Sequence, residues 1–176
     1  MVLAIYSRNI EKYSFALCSY ILFFALYIFV SYSFIYHMKI DLNLINDAVH
    51  FEAGASSSKV KVQIDGSPEI GGQGLGVRPM ELVLMALASC SSLDLILILK
   101  KQRQRVDEFS VSAEGERTDK IPHVFTSIHL TFILKGNIDL VKAEKAAKLA
   151  VKKYCSVQDM LAAGGVKITY SINLNQ

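Results

Sequence analysis

Short runs of alternating apolar and polar residues lie between Lys39 and Asp65. The runs are KIDLNLI, AVHFEA and KVKVQID, and each places an apolar residue at every second position. A period of two is typical of strands with one buried face. Only a few turn residues separate the runs, whereas parallel strands need a long crossover. The pattern therefore predicts three antiparallel strands.

A glycine-rich stretch without periodicity, GSPEIGGQGLGV, occupies residues 66–77. It lacks the Gly-Lys-Ser/Thr ending of a phosphate-binding loop, and no buried parallel strand precedes it as in a dinucleotide-binding fingerprint. The stretch predicts a flexible loop that leads into a helix.

A long helix is predicted from Pro79 to about Arg103, since proline suits the first helical turn. Its body, MELVLMALASCSSLDLILILKK, is apolar on most faces, and basic residues at its end complement the helix dipole. Such a helix is expected to be buried against a sheet or in a subunit interface.

The remaining chain predicts a hairpin, a helix and a final strand. EFSVSAEGERT and HVFTSIHLTFILKG alternate as strands do, and DLVKAEKAAKLAVKKYC keeps apolar residues at helical spacing. SVQDMLAA predicts a further helical turn, and VKITYSINL a closing strand. The order of elements indicates an α+β fold.

Residues 13–36 carry no charge and are long enough to span a bilayer as a helix. The segment is either a membrane anchor or upstream sequence read through from an incorrectly chosen start. The second interpretation is preferred, because a strand pattern begins at Met38. It divides the chain into an apolar extension, residues 1–37, and a domain, residues 38–176, with cytoplasmic localisation expected and membrane anchoring as the alternative.

Composition narrows the possible partners. A net charge of +3 with dispersed lysines and arginines disfavours a nucleic-acid partner. Three cysteines without a C-x-x-C spacing indicate neither a disulfide scaffold nor a zinc site, and no cofactor is expected. Structural or surface roles are expected for the four histidines, which are His37, His50, His123 and His129.

Two of the cysteines carry the candidate chemistry, and Cys18 is expected to be inert. Cys90 lies among serines in the apolar helix, where it is either a small buried hydrophobe or a reactive thiol. Cys155 follows two lysines that favour a thiolate, while the C-terminal dipole of the predicted helix opposes it. Two thiols can reduce a peroxide if one forms a sulfenic acid and the other condenses with it. Their Cα atoms must then lie within about 7 Å.

RPMELVLMALASC followed by YCSVQDML resembles the OsmC/Ohr family of thiol-dependent hydroperoxide reductases, and the resemblance extends from Met38 to Leu174. DGSPEIGG and the Pro-x-Glu-Leu helix start are also similar to that family. The resemblance implies an OsmC-like α+β fold, with antiparallel sheets around a long buried central helix. It also implies an intertwined homodimer with active sites at the subunit interface.

By the same resemblance, Cys90 attacks a small organic hydroperoxide and Cys155 resolves the product. A lipoyl or thioredoxin-like dithiol would then reduce the pair. Family members hold the attacking thiolate with an arginine and with a glutamate directly after the helix-start proline. Met80 occupies that position here, so Glu81 and Arg78 are the candidates for the two charged roles.

Nine residues separate Glu81 from Cys90, so the two side chains would point to opposite sides of an ideal helix. The alternative function is a non-enzymatic dimer that binds an apolar ligand or senses oxidation.

Overall fold

The computed structural model describes residues 38–175, and their strands and helices confirm the α+β class. The strands are β1 (Ile40–Leu44), β2 (Phe51–Ala55), β3 (Lys61–Ile64), β4 (Glu108–Arg117), β5 (Phe125–Lys135) and β6 (Lys167–Asn175). The α-helices are α1 (Pro79–Lys101), α2 (Leu140–Leu149) and α3 (Ser156–Ala163).

Strands β1, β2 and β3 form one sheet in that order. The short connections at residues 45–50 and 56–60 require antiparallel neighbours, as the sequence predicts.

The chain divides into two compact units. The described part of the smaller unit is residues 38–41 and 54–60, where the Ser56 N–H donates to the Lys39 carbonyl at 3.1 Å. The larger unit, residues 42–53 and 61–175, holds the second sheet and all three helices.

The second sheet has the order β4-β5-β6 and is mixed. Strands β4 and β5 form the predicted antiparallel hairpin, with Glu108 opposite Lys135. Strand β6 runs parallel to β5, which differs from the expectation of antiparallel sheets. Helices α2 and α3 carry the chain back along the sheet before β6 begins, and such a crossover returns a strand in the parallel direction.

The core lies between β5 and the helices. Alternate residues of β5 are buried, and α1 buries one residue per turn. Helix α2 contacts α1 and β6. Its buried residues are all alanines, and their small side chains allow α2 to pack closely against both elements. The buried residues of these elements are Ile128, Leu130, Phe132 and Leu134 on β5; Leu87, Ser91, Leu95 and Leu99 on α1; and Ala143, Ala146 and Ala147 on α2.

The face of α1 that points away from its buried residues is exposed in the described chain. Met85, Leu93 and Leu97 are 50%, 68% and 54% exposed. The expected all-round burial is therefore reached on one face only. By length and composition α1 could cross a membrane, but the core helices of many globular domains meet the same criterion.

The glycine-rich segment is a loop, as predicted, and its two ends are pinned together. The Asp65 N–H donates to the Val77 carbonyl, and the Val77 N–H donates to the Gln63 carbonyl, both at 3.0 Å. A Cβ atom on Gly72 would overlap the Gly66 carbonyl oxygen, so the close approach inside the loop requires glycine there.

The buried residue Asp65, which is only 2% exposed, organises this loop through its carboxylate. Oδ2 accepts the N–H groups of Gln73 and Leu75, each at 2.9 Å, and Oδ1 accepts that of Gly66 at 2.7 Å. The bond from Leu75, aided by the other two, holds the pKa of Asp65 below its ordinary value although burial acts in the opposite direction. The expected flexible loop is thus an ordered one.

We expect Asp65→Asn to lower the thermal unfolding midpoint at pH 7 by on the order of a few degrees, because an amide has only one acceptor oxygen. A carboxylate with a lowered pKa stabilises the fold above its unfolded pKa, near 3.8, and that contribution is lost as the pH falls through the still lower folded value. The difference between the two proteins should therefore shrink below about pH 4 in calorimetric scans. Asp119→Asn, at an exposed turn, is the matched control, and equal losses in both variants would contradict the assignment.

Candidate functional site

Cys90 lies in the middle of α1 and is half-buried against the core. The neighbouring hydroxyls of Ser89 and Ser92 donate to the carbonyls of Ala86, at 3.2 Å, and Ala88, at 2.6 Å. These bonds satisfy both serines within their own helix. Ser91 differs, because it is fully buried and its Oγ has no hydrogen-bond partner among the described residues.

Cys155 caps the N-terminus of α3. Helix α2 ends at Leu149, and residues Ala150–Tyr154 form a π turn in which the Cys155 N–H donates to the Ala150 carbonyl at 3.0 Å. Cys155 itself is extended, and its Sγ accepts the Gln158 N–H at 3.4 Å.

The predicted helix therefore does reach Cys155, but its last turn has π and not α geometry. The extended backbone at Cys155 ends this helix and begins the next one, α3. The sulfur consequently lies at the positive end of the α3 dipole, which favours a thiolate.

The two sulfurs are neighbours, and both thiols are free. Cys155 is 1% exposed, and this burial is the main cause of the raised pKa of its thiol. The Ser91 hydroxyl and the Gln158 N–H act to lower the pKa of Cys155, while the adjacent Cys90 raises it further. At neutral pH Cys155 is thus held as a thiol beside the more accessible Cys90.

Arg78 and Glu81 lie together at the start of α1 and away from the thiols. The Glu81 carboxylate accepts the Arg78 N–H at 2.8 Å, which caps the helix. Nine residues of helix place Glu81 about 13 Å along the axis from Cys90. Within the chain the two charged residues therefore do not contact Cys90, and their predicted role in its activation stays a prediction.

A cavity of about 620 Å³ adjoins the start of α1. Its walls are mainly apolar and include Phe51, Leu84 and Phe125, while Arg78 and Arg117 supply cationic groups. The Ser67 hydroxyl, with a smaller contribution from Arg78, lowers the pKa of Glu69 in the same lining. Neither cysteine lines this cavity. Its residues come from five separated segments, so no local sequence signal could have identified it.

Among residues 38–175, no group of three or more His, Cys, Asp or Glu side chains is placed to hold a metal ion. His129 bonds instead to hydroxyls of β6, with Nδ1 at 2.8 Å from Thr169 Oγ1 and Nε2 at 3.0 Å from Ser171 Oγ. Cys18, His37 and the apolar segment at residues 13–36 lie outside the described residues.

Comparisons with known proteins agree with this architecture. YhfA of Escherichia coli K12 is 41% identical over 95 residues, which cover 53% of this chain and 69% of YhfA. A hypothetical protein from Aquifex aeolicus VF5 has a solved structure that is 29% identical, with a TM-score of 0.66 over 80% of this chain and 98% of that one. An organic hydroperoxide resistance protein OsmC from Legionella pneumophila is 16% identical, with a TM-score of 0.61 over 79% and 98%. At that identity the likeness concerns the fold alone.

The family model of OsmC-like proteins matches residues 72–171. This segment is more than half of the chain and contains the second half of the loop, α1, both neighbouring thiols, β4, β5 and the first half of β6. The chain therefore belongs to the family of OsmC-like proteins.

Proposed function

We propose that this protein is a thiol peroxidase that reduces small organic hydroperoxides in defence against oxidative stress. The observation that carries the proposal is the adjacency of two free thiols of unequal exposure, Cys90 and Cys155. The name of the Legionella neighbour, an organic hydroperoxide resistance protein, points to the same chemistry.

The cycle has three balanced steps. The Cys90 thiolate attacks the O–O bond, so that an S–O bond forms and the leaving alkoxide takes up a proton to become an alcohol. Cys155 then attacks the sulfenic sulfur, an S–S bond forms, and the hydroxide leaves as water with the thiol proton. A lipoyl or thioredoxin-like dithiol finally reduces the disulfide by two exchange reactions.

The unequal burial of the thiols supports this order of events. A peroxide can approach half-buried Cys90, whereas Cys155, at 1% exposure, is accessible only to its neighbour. The raised pKa of Cys155 keeps it protonated until Cys90 has been oxidised. Arg78 and Glu81 have no role in this scheme within a single chain, because neither contacts Cys90.

We expect Cys90→Ser to abolish consumption of cumene hydroperoxide in the presence of a dithiol reductant, since serine cannot form a sulfenic acid. Cys155→Ser should complete one turnover and then accumulate sulfinic and sulfonic acid at Cys90, detected as added oxygen by mass spectrometry. Cys18→Ser is the control and should keep the parent rate. Parent-level consumption by Cys90→Ser would refute the proposal.

The exposed face of α1 supports a homodimer as the working form. Met85, Leu93 and Leu97 form an apolar strip there, and an apolar surface of this kind is expected to be covered in the assembled protein. The second copy would supply the burial that the sequence predicts for this helix and that one chain leaves incomplete.

We expect Leu93→Glu to convert the dimer to a monomer, because it places a charge in the centre of the covered strip. Light scattering after gel filtration measures the mass directly. Met160→Glu, which changes a residue that is 75% exposed on α3, is the control and should stay dimeric. A parent protein that is monomeric throughout the concentration range would contradict the assembly.

The cavity at the start of α1 favours a second candidate, a binding module for an apolar ligand. Its volume of about 620 Å³ and mainly apolar walls fit a small organic molecule. Since neither cysteine lines it, such binding requires no redox chemistry.

For this second function we expect a solvatochromic apolar dye to bind the parent protein and Cys90→Ser equally. Ile70→Trp should weaken dye binding, because Ile70 lines the cavity and is 65% exposed, so that the larger ring can occupy the space without disturbing the core. Met160→Trp is the control. Equal dye affinity in all four proteins would place the dye elsewhere and refute the cavity as its site.

A further inference from the structure

Ser91 occupies a position where packing alone does not favour serine. It belongs to the buried stripe of α1 together with Leu87, Leu95 and Leu99, and it is fully buried. Its Oγ makes no hydrogen bond to the described residues, and an unpaired buried hydroxyl is destabilising. Alanine would fill the same space without this cost. Stability alone therefore does not explain a serine at position 91, and its hydroxyl is a candidate for a function.

Ser91 directly follows Cys90 on α1, and α1 packs against the π turn and α3 on either side of Cys155. The Ser91 hydroxyl is one of the groups that lower the pKa of the Cys155 thiol, so the two lie close together although no hydrogen bond joins them in the resting protein. In the resting protein Cys155 is a buried thiol that already accepts the Gln158 N–H at 3.4 Å. A thiolate is a much stronger acceptor than a thiol, so an additional donor gains importance only when Cys155 loses its proton. Ser89 and Ser92 cannot serve in this way, because their hydroxyls bond to α1 carbonyls.

We propose that Ser91 is a positioning residue for the resolving thiol, because its buried, unpaired hydroxyl is placed to donate a hydrogen bond to Cys155 Sγ when that sulfur becomes a thiolate. The inference deepens the proposed function and rests on it. The hydroxyl acts twice in the cycle, once when Cys155 attacks and once when it leaves.

In the forward step, Cys155 attacks the sulfenic acid of Cys90, the S–S bond forms, and the released hydroxide takes the Cys155 proton to give water. On reduction, a thiolate of the dithiol reductant attacks the more accessible Cys90 sulfur, the S–S bond breaks, and Cys155 leaves as a thiolate. Ser91 and the Gln158 N–H stabilise that thiolate until it takes up a proton. The second thiol of the reductant then releases Cys90.

The first experiment compares Ser91→Ala with Ser89→Ala in the full chain carrying Cys18→Ser. One equivalent of cumene hydroperoxide is added, samples are quenched with an alkylating reagent, and the Cys90–Cys155 disulfide is quantified by mass spectrometry. We expect Ser91→Ala to form the disulfide about tenfold more slowly at neutral pH, with the midpoint of its pH profile about one unit higher. Ser89→Ala should match the parent.

Thermal unfolding separates this role from a structural one. Removal of an unpaired buried hydroxyl should leave the midpoint of Ser91→Ala unchanged or raised, although disulfide formation is slowed. A rate and a pH profile equal to those of Ser89→Ala would overturn the inference.

A second measurement does not depend on peroxide chemistry. In Cys18→Ser/Cys90→Ala, Cys155 is the remaining thiol, and the ultraviolet absorbance of its thiolate can be titrated against pH with serine or alanine at position 91. A higher midpoint with alanine supports the inference even if the parent protein fails to react with hydroperoxides, which would refute the proposed function alone. Equal midpoints would overturn the role of Ser91 whatever the activity.

Discussion

The close packing of α2 against its neighbours is the constraint on which the site depends. Ala143, Ala146 and Ala147 make up its buried face and are fully enclosed, and Ala150 continues that face into the π turn. With only methyl groups at this surface, α2 and the turn after it can lie near α1. Cys155 thereby lies close enough to Cys90 for the two thiols to affect each other's ionisation. Larger side chains on this face would push the helices apart, and a disulfide tolerates Cα separations only up to about 7 Å.

Much of the fold could be predicted because strands and helices leave local periodic patterns. Strands β4 and β5 and helix α1 form within a few residues of the predicted bounds. The direction of β6 was not predicted, since a period of two marks a strand without fixing its orientation. The end of α2 was also missed, because apolar spacing continues through Val151 while the backbone hydrogen bonds shift from α to π geometry.

Less of the site could be predicted, because its electrostatics depend on contacts between distant segments. Sequence placed Cys155 between a predicted helix and a further helical turn, but it did not show that the Cys155 sulfur caps the second of them. Asp65 ends a predicted strand, and the sequence does not show that its carboxylate accepts N–H groups from residues up to ten positions later. Ser91 was one of three similar serines in the sequence, and only the structure shows that its hydroxyl alone lacks a partner.

The two thiols differ in what controls them. Cys155 is enclosed by its own chain, so its proton affinity is set by the fold of one subunit. Cys90 lies three residues after buried Leu87 and three before exposed Leu93, at the border between the covered and the open face of α1. Whatever covers the open face therefore also determines how easily a peroxide or a reductant reaches Cys90. In the proposed cycle, the reactivity of Cys155 is therefore set within one subunit, whereas access to Cys90 depends on the proposed dimer.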